Sequence, residues 1–478
     1  MKKLTLLPAL LAGLIASAQN GYEIKVTLKP FANQTVYLGH YSGKQYPIID
    51  SVRLDAASTG VFKGSKKLGG GIYLVAYPSK NKFLEILIDK QQHFSLIADT
   101  LYPTRTRFIN SSDNDQFLAY QRFMSEKGKT HDSLRTAARN AASAADSTAL
   151  ALKQQAISAT ITAYRGEVIR KSPDNILSQI FHLMSEPTIP PADKQPGGRY
   201  DSTWSYQYFK NHYWDGINFW DDRFTRTPST LFEDRIDKYF NTLVFPSADS
   251  VIKELDWMLG YASISPEMTR YLLVKFATRY LSMKYMWEDA VFVHLYQQYF
   301  ANKEYSWLTP EGKKLITDRA YSLMANIMGN KAENIDLPDS TGAIRSLYKD
   351  TSRFTILVFW DPTCGHCKET LPILDSMYQV KWKNQGVKMF AVAKETDGTR
   401  KNWLDFVNQH GLNGWINVYY ARADEKKRVD AGIPGYSQLF DVQVVPAIFL
   451  LDHDKRIVAK KLTWQQADEI LQLKARTP

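Results

Sequence analysis

One short run of the chain, Phe354-Thr-Ile-Leu-Val-Phe-Trp-Asp-Pro-Thr-Cys-Gly-His-Cys367, constrains what can be folded here more than any other. Thr355 to Trp360 is apolar and rich in β-formers, the pattern of a strand. Asp361-Pro362 turns the chain. Cys364-Gly365-His366-Cys367 then opens a helical pattern that runs to Trp382. Cys364 and Cys367 are the only two cysteines in 478 residues. A structural disulfide framework is therefore excluded, and any bond formed within the chain joins these two.

Two cysteines three apart on a helix share one face, at a separation that suits a disulfide's Cα span of about 4.4–6.8 Å. The first sits at the helix N-terminus, where unpaired N–H groups and the helix dipole favour an anion, and so the thiolate that attacks disulfides. Cys367, one turn further in, is the expected resolving thiol. Gly365 keeps the approach open. His366 can place positive charge beside the sulfurs, which would stabilise the reduced form and make the pair a stronger oxidant. Zinc is excluded by counting, because a structural site needs four ligands and the motif offers three candidates that cannot converge. No cofactor is implied. Val445-Pro446 precedes a second apolar strand. It suits either a cis peptide at the rim of the site, shaping a substrate groove, or a trans proline opening a strand.

The chain begins Met1-Lys2-Lys3, continues apolar from Leu4 to Ile15, and reaches Ala16-Ser17-Ala18. A basic end, a short apolar segment and a small-x-small site predict a secretory signal peptide over residues 1–18. The apolar run falls short of the roughly 20 residues that span a bilayer. Export would place the cysteines in an oxidising compartment, the periplasm or cell envelope. The formal charge of +11 is spread along the chain rather than massed, which argues against nucleic-acid binding.

Residues 19–110 read as a β-sandwich-like domain, with alternating runs at Tyr22–Leu28, Thr35–Leu38, Ile72–Tyr77, Phe83–Ile88 and Phe94–Ile97 separated by Gly, Pro and Asn. Residues 111–328 read as an all-α domain. The Ala- and Ser-rich stretch 136–163 is expected as a surface helix, and further helices are expected over 231–240, 247–259, 266–286, 290–300 and 310–327. The aromatic-rich segment Trp204 to Phe224 is read as helix packing rather than as a sugar or peptide platform. Glu288, Asp289 and His294 lack metal-protease spacing. Residues 329–478 read as α/β: a short hairpin, helix-separated strands, then a terminal hairpin and a last helix.

These residues resemble the thioredoxin superfamily, and within it the TlpA/ResA-like thiol–disulfide oxidoreductases of the bacterial envelope. The marks are Phe359-Trp360, Cys364 to Cys367, Pro372, Val445-Pro446 and Leu450-Leu451-Asp452. The preceding β and helical domains are similar to multi-domain members. The resemblance implies a thioredoxin-like fold and a protein-disulfide oxidoreductase acting on disulfides or thiols of envelope proteins. It also implies a membrane electron donor or acceptor and leaves the partner of the helical domain unknown. A binding module whose thioredoxin-like domain serves docking or redox sensing is the alternative. Three positions depart from the pattern. The buried acid six residues before the first cysteine is Val358, the preceding Trp is Thr363, and the Glu three after the second cysteine is Thr370. Glu395, after a neighbouring strand, is either the proton acceptor for Cys367 or a surface charge. The Cys-Gly-His-Cys tetrad resembles protein disulfide isomerase more than thioredoxin. Their potentials, about −180 and −270 mV, differ by about 4 kcal/mol for two electrons, so the direction of reaction is open.

Overall fold

The computed structural model describes residues 21–139, 143–395 and 399–476; the signal peptide expected over 1–18 lies outside them. The chain divides into two compact units, one of residues 1–244 and 257–271, the other of 245–256 and 272–478. The helical stretch 111–328 is thus shared between both units.

The first unit opens with eight strands: β1 (Tyr22–Lys29), β2 (Thr35–His40), β3 (Ile48–Arg53), β4 (Thr59–Gly64), β5 (Gly71–Ala76), β6 (Phe83–Ile88), β7 (His93–Asp99) and β8 (Arg107–Ile109). They form two four-stranded sheets, ordered β4-β1-β7-β8 and β3-β2-β5-β6. Alternate residues of β1 (Ile24, Val26, Leu28) meet Val36, Leu38, Val75 and Ile86 of the other sheet in one apolar core, which makes a sandwich. The outer face of β5 and β6 (Ile72, Leu74, Leu87) is covered by Phe117, Tyr120, Ile180 and Phe181. These come from helices α1 (Ser112–Arg139) and α3 (Ile176–Met184), which flank α2 (Ala144–Lys171). The stretch 136–163 is therefore not one helix. It is divided between the end of α1 and much of α2, because the Ser143 hydroxyl accepts the Asp146 N–H at 3.1 Å and caps a new start.

Helices α4 (Ser202–Asn211) and α5 (Phe232–Thr242) follow. Between them Tyr213, Trp214, Phe219 and Phe224 are buried and pack helices, whereas Tyr206 and Trp220 of the same segment are exposed. Gly69 to Gly71 admit Arg226, whose guanidinium donates to the Gly70 carbonyl at 3.0 Å. A Cβ added at Gly71 would lie 2.3 Å from the Arg226 Cβ.

Helices α6 (Ala248–Ala262) and α7 (Pro266–Leu281) contribute to both units; α8 (Glu288–Leu295) and α9 (Pro310–Met324) belong to the second. Then come the hairpin β9 (Asp336–Pro338) and β10 (Ile344–Ser346), β11 (Phe354–Trp360), α10 (Gly365–Val380), β12 (Val387–Lys394), α11 (Arg400–Gln409), β13 (Ile416–Tyr420), α12 (Arg422–Asp430), α13 (Tyr436–Leu439), β14 (Ala447–Asp452), β15 (Ile457–Lys460) and α14 (Trp464–Arg476). The five-stranded sheet is ordered β13-β12-β11-β14-β15. β11 runs parallel to β12 and antiparallel to β14. This mixed sheet with its central β11 is a thioredoxin-like fold.

All seven residues of β11 are buried, because both faces of the sheet are covered. Ile356, Val358 and Trp360 pack with Leu371 and Leu374 of α10, Trp403 of α11 and Leu471 of α14. Leu357 and Phe359 face Ile335, Leu347, Tyr436 and Phe440. Burying each such side chain contributes about 1.5–3 kcal/mol, which anchors the strand that presents the cysteines.

β15 is an edge strand, and α8 and α9 tie into it. The Lys460 ammonium donates to the Asp289 carboxylate, to the Asn326 carbonyl at 2.8 Å and to Asn326 Oδ1 at 2.5 Å, which occupies all three of its protons. Burial pushes the Asp289 carboxyl up and the Lys460 ammonium down, while their contact opposes both.

Candidate functional site

β11 ends at Trp360, and Asp361-Pro362-Thr363 turns the chain into α10. The turn is closed by the Cys364 N–H donating to the Asp361 carbonyl at 3.2 Å. The Asp361 Oδ1 accepts from the Thr363 N–H at 2.6 Å and the Thr363 hydroxyl at 2.5 Å. Asp-Pro-Thr is thus a turn braced by its own first side chain. It leaves Cys364 as the N-cap of α10.

Cys364 is half-buried and Cys367 fully buried. The Cys364 thiol points at the Val445 carbonyl, 3.7 Å away. The Cys367 Sγ lies one turn inward and accepts the Asp361 N–H at 3.5 Å. Burial pushes the Cys367 thiol up to about 12; the backbone N–H of Asp361 opposes this, while Cys364 and the Asp361 carboxylate add to it. One sulfur is therefore presented to solvent and the other held protonated behind it.

Val445-Pro446 is a cis peptide, and the preceding Val444 is 77% exposed. The structure thus brings Cys364, Cys367 and Val445-Pro446 together, although they are some 80 residues apart. His366 stands on the outer turn of α10, its side chain 87% exposed, with Nδ1 3.8 Å from a Glu369 carboxylate oxygen. Glu395 follows β12, and its carboxylate accepts the Arg422 N–H at 2.9 Å, at the first turn of α12. Tyr419 of β13 is buried in the core that holds Cys367. Burial, with the Glu395 charge adding to it, pushes its hydroxyl up to about 12.

The acid that sequence reasoning passed over is Asp361, 3% exposed and in contact with Cys367 through its N–H. The signal was present in Asp361-Pro362, but Asp-Pro is also ordinary turn chemistry. Among the described residues, no three His, Cys, Asp or Glu side chains gather to hold a metal ion. Nor is any helix among them long and apolar enough to cross a membrane.

Residues 352–457 match the model of a thioredoxin-like family, and residues 145–321 match that of a domain of unknown function (DUF5106). No curated protein matches the chain. Among solved structures, a thioredoxin-like protein from Bacteroides caccae is 20% identical, covers 60% of this chain and 98% of its own, and superposes with a TM-score of 0.42. A domain of a possible thiol-disulfide isomerase from Cytophaga hutchinsonii is 30% identical over 31% of this chain and 94% of its own, with a TM-score of 0.27. The thioredoxin domain of a thiol-disulfide oxidoreductase from Bacteroides vulgatus is 23% identical over 31% of this chain and 96% of its own, also at 0.27.

Proposed function

We propose that this chain, whose C-terminal domain is of the thioredoxin-like family, is an exported thiol–disulfide oxidoreductase of the cell envelope. Cys364 attacks the substrate disulfide or receives the substrate thiol, and Cys367 resolves the mixed disulfide. The observation that carries this reading is the asymmetry of the pair: Cys364 is reachable at a helix N-terminus, and Cys367 is fully buried one turn behind it. Nucleophilic attack needs the first arrangement, and intramolecular release needs the second. Val445-Pro446 borders Cys364 and shapes the substrate groove. His366, being exposed, tunes the potential through its charge rather than by contact with a sulfur. Disulfides or thiols of envelope proteins are the substrates, and a membrane electron donor or acceptor resets the pair.

The test is Cys364→Ser in an insulin-reduction and a scrambled-substrate refolding assay. Loss of both activities is expected. Full activity in the variant would overturn the assignment. A second reading, a binding module with a redox-sensing domain, is favoured by Trp220, Trp257 and Tyr261, which are 42%, 41% and 46% exposed and lie in ring contact. A protein that cycles once with an electron donor present, rather than turning over, would support this second reading against the first.

A further inference from the structure

The Cys367 thiol must lose its proton before it can resolve a mixed disulfide, and it is fully buried. Val358 stands where the related pattern places a buried acid. The Glu395 carboxylate, just past the end of β12, is engaged by the Arg422 N–H at 2.9 Å. Asp361 is placed differently. Its backbone N–H touches the Cys367 Sγ at 3.5 Å, and its carboxylate is buried at the same turn, anchored through Oδ1 by both donors of Thr363.

We propose that Asp361 is the proton acceptor for Cys367: its carboxylate takes the thiol proton, through at most one bridging water, as Cys367 attacks. This rests on the oxidoreductase reading above. In the mixed disulfide the substrate sulfur is bonded to Cys364 Sγ. The Cys367 S–H proton passes to the Asp361 carboxylate. The sulfur's electron pair forms the Cys367–Cys364 bond, and the Cys364–substrate bond breaks with its pair on the substrate sulfur. That sulfur leaves as a thiolate and takes up a proton from the Asp361 carboxylic acid or from water. The dithiol is oxidised by two electrons and the substrate disulfide is reduced by two. In the oxidising direction a substrate thiolate attacks Cys364 Sγ and forms the mixed disulfide, the Cys364–Cys367 bond breaks with its pair on Cys367, and the protonated Asp361 returns the proton to that sulfur.

The surroundings suit this role. The Asp361 carboxylate adds to the upward push on the Cys367 thiol and on the Tyr419 hydroxyl, so it lies within electrostatic reach of both. Cys364 faces Cys367 from the same helix. Tyr419 of β13 packs in the same core as Cys367, where Glu395 pushes its hydroxyl up and Arg400 opposes this. His366 and Glu369 are exposed on the outer turn of α10. Asp361 is thus the acid whose backbone touches the Cys367 sulfur and whose carboxylate acts on it.

Asp361→Asn tests this, because the amide oxygen can still accept both Thr363 donors and keep the turn. Stopped-flow reaction of the reduced protein with a chromogenic aromatic disulfide separates attack by Cys364 from release by Cys367. The expected result is attack within about twofold of the parent and release slowed about 100-fold, the low end for loss of a general base. The release rate should also lose its acid-side pH inflection, and Asp361→Glu should recover part of it. Release within twofold of the parent, with an unchanged pH profile, overturns the proposal. If the variants do not fold, the parent protein decides: the Asp361 carboxyl and Cys367 Cβ carbon resonances should shift together on titration. A Cys367 titration that leaves the Asp361 carboxyl unmoved overturns it. Failure of the parent to form any mixed disulfide would instead sink the oxidoreductase reading.

Discussion

The asymmetry of the two thiols makes a quantitative demand on alkylation. Burial pushes the Cys367 thiol from the ordinary 9.0 to about 12. Each unit is a tenfold change in thiolate fraction, so at pH 8 Cys367 holds roughly 1000-fold less thiolate than an ordinary cysteine. Its full burial adds a barrier to any reagent. The reduced protein treated with iodoacetamide at pH 8 should therefore carry one adduct, on Cys364, by peptide mass spectrometry. In denaturant both cysteines should react at similar rates. Linkage gives a second readout. Between pH 9 and about 12 the unfolded chain has released the Cys367 proton while the folded chain still holds it. The unfolded state then binds fewer protons, so this contribution to stability is present below pH 9 and falls as the pH rises. Alkylation of Cys367 in the folded protein within about tenfold of its own rate in denaturant would refute the reasoning, since three units leave no room for it.

Two further predictions concern buried ion pairs of the second unit. Asp289→Ala leaves the Lys460 ammonium buried with one partner fewer and should cost about 3–5 kcal/mol, while Asp289→Ala with Lys460→Met should recover much of it; urea unfolding of both variants checks this, and a single variant within 1 kcal/mol of the parent would remove the pair from the account. At Asp441, burial opposes ionisation, but Lys461 and Arg319 outweigh it and hold the carboxyl below the ordinary 3.8. That contribution is present above pH 3.8 and lost as the pH falls through the folded value. Thermal melts from pH 2 to 7 should show a shallower acid limb in Asp441→Asn, and identical limbs would contradict it.

The thioredoxin-like sheet was legible because its strands are apolar runs punctuated by helical patterns, and Asp361-Pro362 marks where β11 ends. The sandwich was legible only in part. β3 buries no residue and β4 only Phe62, so neither carries a strong apolar alternation. Edge strands of this kind are specified by their neighbours rather than by their own composition. The sharing of the helices between two units was not legible. The contacts that join α8 and the end of α9 to β15, such as Lys460 with Asp289 and Asn326, link residues more than a hundred apart, and nothing in a sequence window encodes them. At the site the two cysteines and Val445-Pro446 stood out, whereas Asp361 did not. Its place beside the sulfur shows only in its backbone N–H, aimed at Cys367 six residues on, a contact that no residue spacing encodes.

The most direct test of the central claim is a redox titration of the full protein against glutathione, followed by mass spectrometry. One two-electron transition is expected, joining Cys364 to Cys367, with a tenfold change in ratio per roughly 30 mV and a midpoint less reducing than about −270 mV. Independent glutathionylation of each cysteine, with no bond between them at any poise, would contradict it.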